Sequence, residues 1–245
     1  MTEERDIVIE ETAYKIVISD EKEALLAAKV AGRALIGLWN DKGADLWPAS
    51  YVVENLEDLD SRFLEQVVRR TYGLPWKIGE TGRLLIREFQ LEDAGKAPRE
   101  ETDREEDRIF YTPENLSQYI QCQYGFYEYG LWALEDKKTG ELVGKAGITQ
   151  GCYGRKPWKE EDMLYLELGY HVFKPYRRRG YAREACRKIV EVVTQAAQRP
   201  CCIYAKIDAS NKASIRVAES CGLSVTVQRY NEAGQWRCLC SGCWR

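Results

Sequence analysis

The stretch FKPYRRRGYAREACRKIV, residues 173 to 190, constrains the fold more than any other segment of the chain. The run MLYLELGYHVF (163 to 173) reads as a strand and leads straight into it. Pro175 stops sheet pairing, and Ala182, Cys186, Ile189, Val190 and Val193 then fall on one face of a long amphipathic helix. The local order is therefore strand, short loop, helix N-terminus. Such a loop exposes several N–H groups that have no helical partner, and the helix dipole adds positive potential there. Gly180 lets an anion approach the backbone closely, and Ala182 keeps the first turn narrow. Arg177, Arg178 and Arg179 add charge at the rim. A pyrophosphate suits this cradle. A solvated basic helix start is the alternative that these residues leave open. The dinucleotide-binding pattern GxGxxG and the P-loop signature are both missing, which disfavours a nucleoside-triphosphate enzyme.

Composition narrows the class. A chain of 245 residues supports one or two domains, and 44% hydrophobic content provides ample core. No apolar run approaches the roughly 20 residues needed to span a bilayer. The N-terminus MTEERDIVIEE is acidic and lacks the pattern of a secretion signal, so a cytoplasmic protein is expected. A net charge of −3 argues against general nucleic-acid binding. Nine cysteines are an odd number, and in a reducing compartment most serve as small core residues. Cys238, Cys240 and Cys243 lack a second CxxC or a His partner, so no metal site is expected.

Residues 1 to 75 read as a small Rossmann-like α/β domain. YKIVISD (14 to 20), RALIGLW (33 to 39) and YVVEN (51 to 55) are predicted strands of a parallel fragment. Residues 21 to 32 and 56 to 73 are predicted helices, the first stopping at Gly32. Ser19 and Asp20 sit at a strand end, where an α/β sheet places functional groups. Their structural reading, which we favour, is an N-cap for the following helix. The segment resembles a piece of the HAD-type hydrolase fold, but the DxD nucleophile pair of those enzymes is absent. An accessory or dimerising role follows.

GLPWKIGETG (73 to 82) carries the punctuation of a linker, and a second domain spans 76 to 245. RLLIREF (83 to 89) is a strand, and the acidic run from Glu100 to Asp107 reads as a solvated face. Thr112 and Pro113 open a helix over 112 to 128, and residues 129 to 150 form a hairpin turning at Gly140. CCIYAKIDASNKASIRVAESCGLSV (201 to 225) gives a strand, Asn211, a short helix with Ser214, and Gly222 before another strand. In these segments the chain resembles the GNAT N-acetyltransferase superfamily. Arg177, Gly180 and Ala182 match its nucleotide loop, and Asn211, Ser214 and Gly222 match its later segment. TGRLLIREFQLEDA and LELGYHVFKPYRRRGYAREA look like the branch that includes ribosomal-protein alanine N-acetyltransferases. The expected architecture is therefore a mixed-sheet α/β acetyltransferase fold preceded by the smaller α/β domain.

The resemblance implies acetyl-CoA as co-substrate. Its pyrophosphate would rest on the loop and helix start formed by Arg178, Arg179, Gly180, Tyr181, Ala182 and Arg183. Its pantetheine would add like a strand beside Tyr170, His171 and Val172. Asn211 and Ser214 are expected on the pantetheine and the adjacent CoA body.

Acyl transfer to an amine by direct attack, through a tetrahedral intermediate, needs a base for the amine and a proton for the departing thiolate. Glu167 is the expected base, with Leu166 and Leu168 turned to the opposite face as core. Burial beside apolar residues would suit it to work near neutrality. A structural glutamate satisfied by a neighbour is the alternative. His171, the sole histidine, shares the face of Glu167 and either assists as base or lines the pantetheine channel, the role we prefer. The acid is a gap. Many superfamily members carry a tyrosine seven residues after the motif Asn, and here that position is Ala218. Cys221, Ser220, Tyr176 or water are the substitutes. The aromatic run YGFYEYGLW (124 to 132) and the loop 151 to 162 border the expected acceptor site.

The acceptor itself, whether protein N-terminus, polyamine, aminoglycoside or other small amine, is not legible. A homodimer is a reasonable expectation. The competing reading is a CoA-binding sensor or interaction module that has lost its catalytic power. A phosphohydrolase built on the first half lacks its nucleophile.

Overall fold

A computed structural model describes the chain apart from residues 41–42, 44, 101–104, 151–162, 231–235 and 245. The chain divides into two compact units, Met1–Trp76 and Lys77–Arg245. In the first, β1 (Thr2–Ile9) and β2 (Thr12–Ser19) pair antiparallel, and β3 (Ala34–Leu38) and β4 (Val52–Val53) follow in parallel. Strand residues alternate between faces, so each face receives its own helix. Ile16, Ile18, Ala34 and Ile36 pack with Leu64, Val67 and Val68 of α2 (Ser61–Tyr72). Val17 and Leu35 pack with Leu25 and Ala28 of α1 (Lys22–Val30).

Three details differ from the sequence reading of this unit. The sheet is mixed, because β1 adds an antiparallel edge whose four consecutive charged residues, Glu3 to Asp6, mask its alternation. Helix α2 starts at Ser61, where the Asp60 carboxylate accepts from the Phe63 N–H at 2.7 Å; residues Leu56–Asp58 form a separate 3-10 turn. The cap of α1 is Glu21, with no side-chain bond; Ser19 Oγ accepts from the Glu21 N–H at 3.0 Å, and Asp20 accepts from Asn40 at 3.1 Å.

The second unit is built on an eight-stranded sheet. Its strands are β5 (Lys77–Glu80), β6 (Leu84–Arg87), β7 (Leu131–Asp136), β8 (Leu142–Gln150), β9 (Leu164–Val172), β10 (Cys201–Asp208), β11 (Ser224–Tyr230) and β12 (Trp236–Trp244). The order is β11-β12-β10-β9-β8-β7-β6-β5. β5 occupies much of the segment read as a linker. Its Gly79 lies against Lys188, where a Cβ would stand 3.2 Å from Lys188 Cε.

Every neighbouring pair in this sheet is antiparallel except β9 and β10. A parallel pair needs a crossover, and α4 (Tyr181–Ala196) supplies it. Leu166 and Leu168 of β9 and Ile203, Ala205 and Ile207 of β10 join Ala185, Cys186 and Ile189 of α4 in the core. Ile215 and Ala218 of α5 (Lys212–Ser220) complete that layer. The buried stripe of α4 is Tyr181, Ala185, Cys186, Ile189, Val190 and Val193; Ala182 lies at its half-buried margin. Near the opposite sheet face, α3 (Pro113–Tyr119) begins at Thr112, whose hydroxyl accepts from the Asn115 N–H at 3.3 Å. It widens into a π-helical segment, Ile120–Tyr127, that ends at Glu128 with φ of 62°. Tyr119 and Tyr124 hold its exit, their hydroxyls lying 2.6 Å from the Leu131 N–H and 2.5 Å from the Leu131 carbonyl.

Candidate functional site

β9 and β10 are nine and eight residues long but pair over only four, Leu164–Glu167 against Cys201–Tyr204. Beyond Glu167 the two strands separate. β9 stays paired on its other side, to β8, as far as Val172. The Phe173 N–H donates to the Val143 carbonyl at 3.0 Å, which sets the phase of that ladder. Alternation along the strand turns the backbone groups of Gly169 and His171 toward β8, and those of Leu168, Tyr170 and Val172 toward the gap. The gap is thus edged by N–H and C=O groups that no β10 strand meets, the template for an added extended chain.

The start of α5, on the far side of the gap, is tied to β9 through Tyr170. Tyr170 Oη donates to the Ser214 carbonyl at 2.7 Å, bringing the start of α5 against the open edge. Asn211 caps α5, its Oδ1 accepting from the Ser214 N–H at 3.0 Å, so this oxygen serves the helix and the amide nitrogen is its outward group. Tyr170, Ser214 and Asn211 are therefore brought together beside the open edge, which Val172 continues.

The arginine loop follows directly on β9 and leads into α4. Arg178 has φ of 63° and Gly180 φ of 84°, so two left-handed residues curl the chain just before α4. The first intrahelical bond of α4 runs from the Glu184 N–H to the Gly180 carbonyl at 3.1 Å. The N–H groups of Tyr181, Ala182 and Arg183 therefore precede the helical ladder and point out of its end. Left-handed turns of this kind and a helix N-terminus both favour an anion.

A brace that the sequence reading missed fixes this loop. Arg83, just before β6, donates to the Arg179 carbonyl at 2.9 Å and to Glu184 at 2.8 Å, and its guanidinium lies 4.6 Å from the Tyr181 ring centre. Burial works to raise the Glu184 pKa, but the Thr81 hydroxyl and Arg83 outweigh it and hold the carboxyl below its usual range. Tyr181 Oη donates to Asp136 at 2.5 Å, which lowers the Asp136 pKa and raises that of Tyr181. No signal in one sequence links residue 83 to residue 179; only the sheet order does.

The three arginines do not all serve as a rim. Arg177 turns back, its Nε donating to the Val172 carbonyl at 2.9 Å and its Nη2 pairing with Glu100. Glu100 also accepts from the Lys174 N–H at 2.6 Å and lies 3.5 Å from His171 Nε2. Burial raises the Glu100 pKa, yet these partners override it and the net direction is downward. The acidic run is thus not simply a solvated face, since Asp107 likewise pairs with Lys145, a lysine only 5% exposed. Arg179 folds onto Pro175 O at 3.1 Å and lies 5.7 Å from the Tyr176 ring.

Glu167 and His171 share the sheet face opposite the α4 core, as their spacing predicts. The expectation that Glu167 is buried among apolar residues is not met. Its side chain is 28% exposed, and Oε2 lies 2.7 Å from Lys206 Nζ. Lys206 stands two residues past Tyr204, the last paired residue of β10, and reaches back across the fork of the gap. Ala218, where many superfamily members have a tyrosine, is fully buried. Among its proposed substitutes, Cys221 is buried beside Cys186, whose S–H bond lowers the Cys221 pKa to about 7. Ser220 donates to Val217 O at 2.7 Å. The loop read as an acceptor wall, 151 to 162, lies outside the described residues. In the aromatic run, Tyr124 is core, while Phe126 and Tyr127 are exposed.

The acetyltransferase (GNAT) domain family matches residues 83–224, more than half of the chain and all of the fork, loop and α5 just described. The chain belongs to the GNAT acetyltransferases. Acetyl-CoA is the co-substrate of that domain, and the open edge and the loop above it fit an extended chain ending in a pyrophosphate. The uncharacterized protein YkkB of Bacillus subtilis (strain 168) is 37% identical over 108 residues, which cover 43% of this chain and 58% of that protein. The chain thus spans little more than half the length of this curated relative. Solved structures share the fold. A Bordetella pertussis protein assigned to the GNAT-family acetyltransferases is 23% identical, with a TM-score of 0.51 over 66% of this chain and 97% of that one. A ribosomal-protein alanine acetyltransferase from Vibrio fischeri is 18% identical, with a TM-score of 0.52 over 67% of this chain and 94% of that one. The GNAT match begins at Arg83, so Met1–Trp76 lies outside it, and nothing in these comparisons assigns that unit to a hydrolase fold. Among the described residues no helix of this GNAT protein is long and apolar enough to cross a membrane, and no group of three metal-ligating side chains is present.

Proposed function

We propose that the chain is an acetyl-CoA-dependent N-acetyltransferase acting on a primary amine, with its chemistry at the fork between β9 and β10. The observation that carries this reading is the four-residue pairing of two much longer strands, with Glu167 at its last step. Pantetheine would add along the edge offered by Leu168, Tyr170 and Val172, with Asn211 and Ser214 on its other side. The pyrophosphate would rest on the N–H groups of Gly180, Tyr181, Ala182 and Arg183, under the charge of Arg178. A cofactor held this way would bring its thioester toward Glu167.

Bound acetyl-CoA supplies an activated acetyl carbonyl. Glu167, directly or through water, takes the proton that the amine nitrogen sheds as it attacks. Holding amine and thioester in one orientation contributes a further large share of the acceleration. His171 faces Arg177 and Glu100 rather than Glu167, which favours a role in shaping the upper slot. Met1–Trp76, with its own two-faced core, is proposed as an accessory domain.

The test is a CoA-release screen of the full chain with acetyl-CoA and four amine classes: an alanine-starting peptide, spermidine, an aminoglycoside and free amino acids. Release matched by acetylated amine in one class supports the proposal. Tight acetyl-CoA binding with no release in any class would favour a CoA-binding sensor instead.

A further inference from the structure

We propose that Lys206 is the group that protonates the departing CoA thiolate, working as a pair with Glu167. This rests on the acetyl-transfer reading above and supplies the acid that reading lacks. Three observations converge on Lys206. It is the second residue of β10 beyond the last paired position, so it lies where the slot opens. Its Nζ is 2.7 Å from Glu167 Oε2, across the fork from the strand on which pantetheine would lie. Its side chain is 44% exposed, which leaves the ammonium open to a ligand entering the slot. Among the described residues it meets Glu167 from β9 and the Tyr204 ring 5.5 Å away on β10, while the carboxylate of Asp208 is engaged by the Ser210 N–H and hydroxyl at 2.9 and 2.6 Å. The position that supplies a tyrosine in many relatives is the buried Ala218, which has no proton to give.

The proton count closes. The amine nitrogen forms the C–N bond and gives one proton to Glu167. The C–S bond breaks with its electron pair on sulfur, and the Lys206 ammonium gives that sulfur a proton. The proton on Glu167 then passes to the neutral Lys206 amine across the same hydrogen bond. Both residues return to their starting charges, and the products are an amide and free CoA thiol. The salt bridge between Glu167 and Lys206 is thus the route by which the site resets.

The first experiment needs no acceptor. The ultraviolet thiolate absorbance of CoA bound to the full chain is followed against pH, with the desulfo-CoA complex as blank. An ammonium at the sulfur lowers the pH at which the bound thiol ionises relative to free CoA, and Lys206→Met removes that shift. Identical titrations of the parent and Lys206→Met complexes would overturn the placement. The second experiment compares Lys206→Met and Lys206→Arg in acetyl transfer to whichever amine the screen identifies. Arginine keeps the charge and the contact with Glu167 but does not release a proton. The proposal expects both variants to lose at least about tenfold in kcat with acetyl-CoA KM changed by less than about twofold. Recovery of kcat in Lys206→Arg would reduce Lys206 to a positioning role for Glu167. If no amine is turned over while the thiol shift is present, acetyl transfer fails and the placement of Lys206 stands; a missing shift in an active enzyme overturns Lys206 alone.

Discussion

Arg83 and Arg179 are 96 residues apart in sequence, yet the guanidinium of the first donates to the backbone carbonyl of the second at 2.9 Å. The contact makes the start of β6 a floor for the arginine loop. Removing it frees the turn at Arg178 and Gly180 while leaving α4 and its buried stripe intact. Because Arg83 is about half exposed, its bonds are screened and the loss is modest. Arg83→Ala is expected to weaken acetyl-CoA binding by about fivefold to tenfold, equivalent to about 1 kcal/mol, with kcat little changed. Calorimetric titration and steady-state kinetics check both parts, and an unchanged affinity would show that the loop holds its shape unaided.

The phase of β9 makes a paired prediction. The Val172 N–H faces the gap, whereas the His171 N–H faces Lys145 of β8. Proline removes a donor without breaking a sheet only where that donor is not in the ladder. Val172→Pro should therefore retain the parent melting temperature to within a few degrees and bind acetyl-CoA about tenfold or more weakly. His171→Pro should lower the melting temperature markedly. Thermal melts of the two variants decide the phase, and the reverse ranking would contradict it.

Much of this fork was readable in advance, because its parts are local. The strand LELGYHV, the short loop after it and the amphipathic α4 follow from alternation, Pro175 and helical spacing within one stretch of chain. Asn211 and Ser214 are singled out by the family resemblance rather than by local pattern. What could not be read is set by register between distant strands. The salt bridge of Glu167 with Lys206 depends on which residue of β10 stands just past the last paired position. The turning-back of Arg177 depends on Glu100, which the sequence presented as one more charge in an acidic run. GLPWKIGETG reads as a linker because a glycine packed against a helix and a glycine in a loop look alike in one sequence.

Glu100 gives a pH dependence. Its pKa is lowered in the folded chain, burial being outweighed by the Lys174 N–H, by His171 and by the Arg177 guanidinium. A carboxyl whose folded pKa lies below its unfolded one contributes stability above the unfolded value and loses it as pH falls through the folded one. Glu100→Gln should therefore melt lower than the parent near neutrality, and the difference should shrink as pH falls below the ordinary carboxylate range. Melting curves of the two proteins across acid pH check this, and a pH-independent difference would assign the effect to packing.

The placement of catalysis at the fork is tested most directly by Glu167→Gln, measured for CoA release and acetyl-CoA binding in the same preparation. The side chain is part-exposed and nearly isosteric, so the fold should hold. Loss of a general base is expected to lower kcat by about 10²-fold or more, while acetyl-CoA affinity stays within about twofold of the parent. A variant that binds acetyl-CoA as the parent does and turns over at the parent rate would contradict the account.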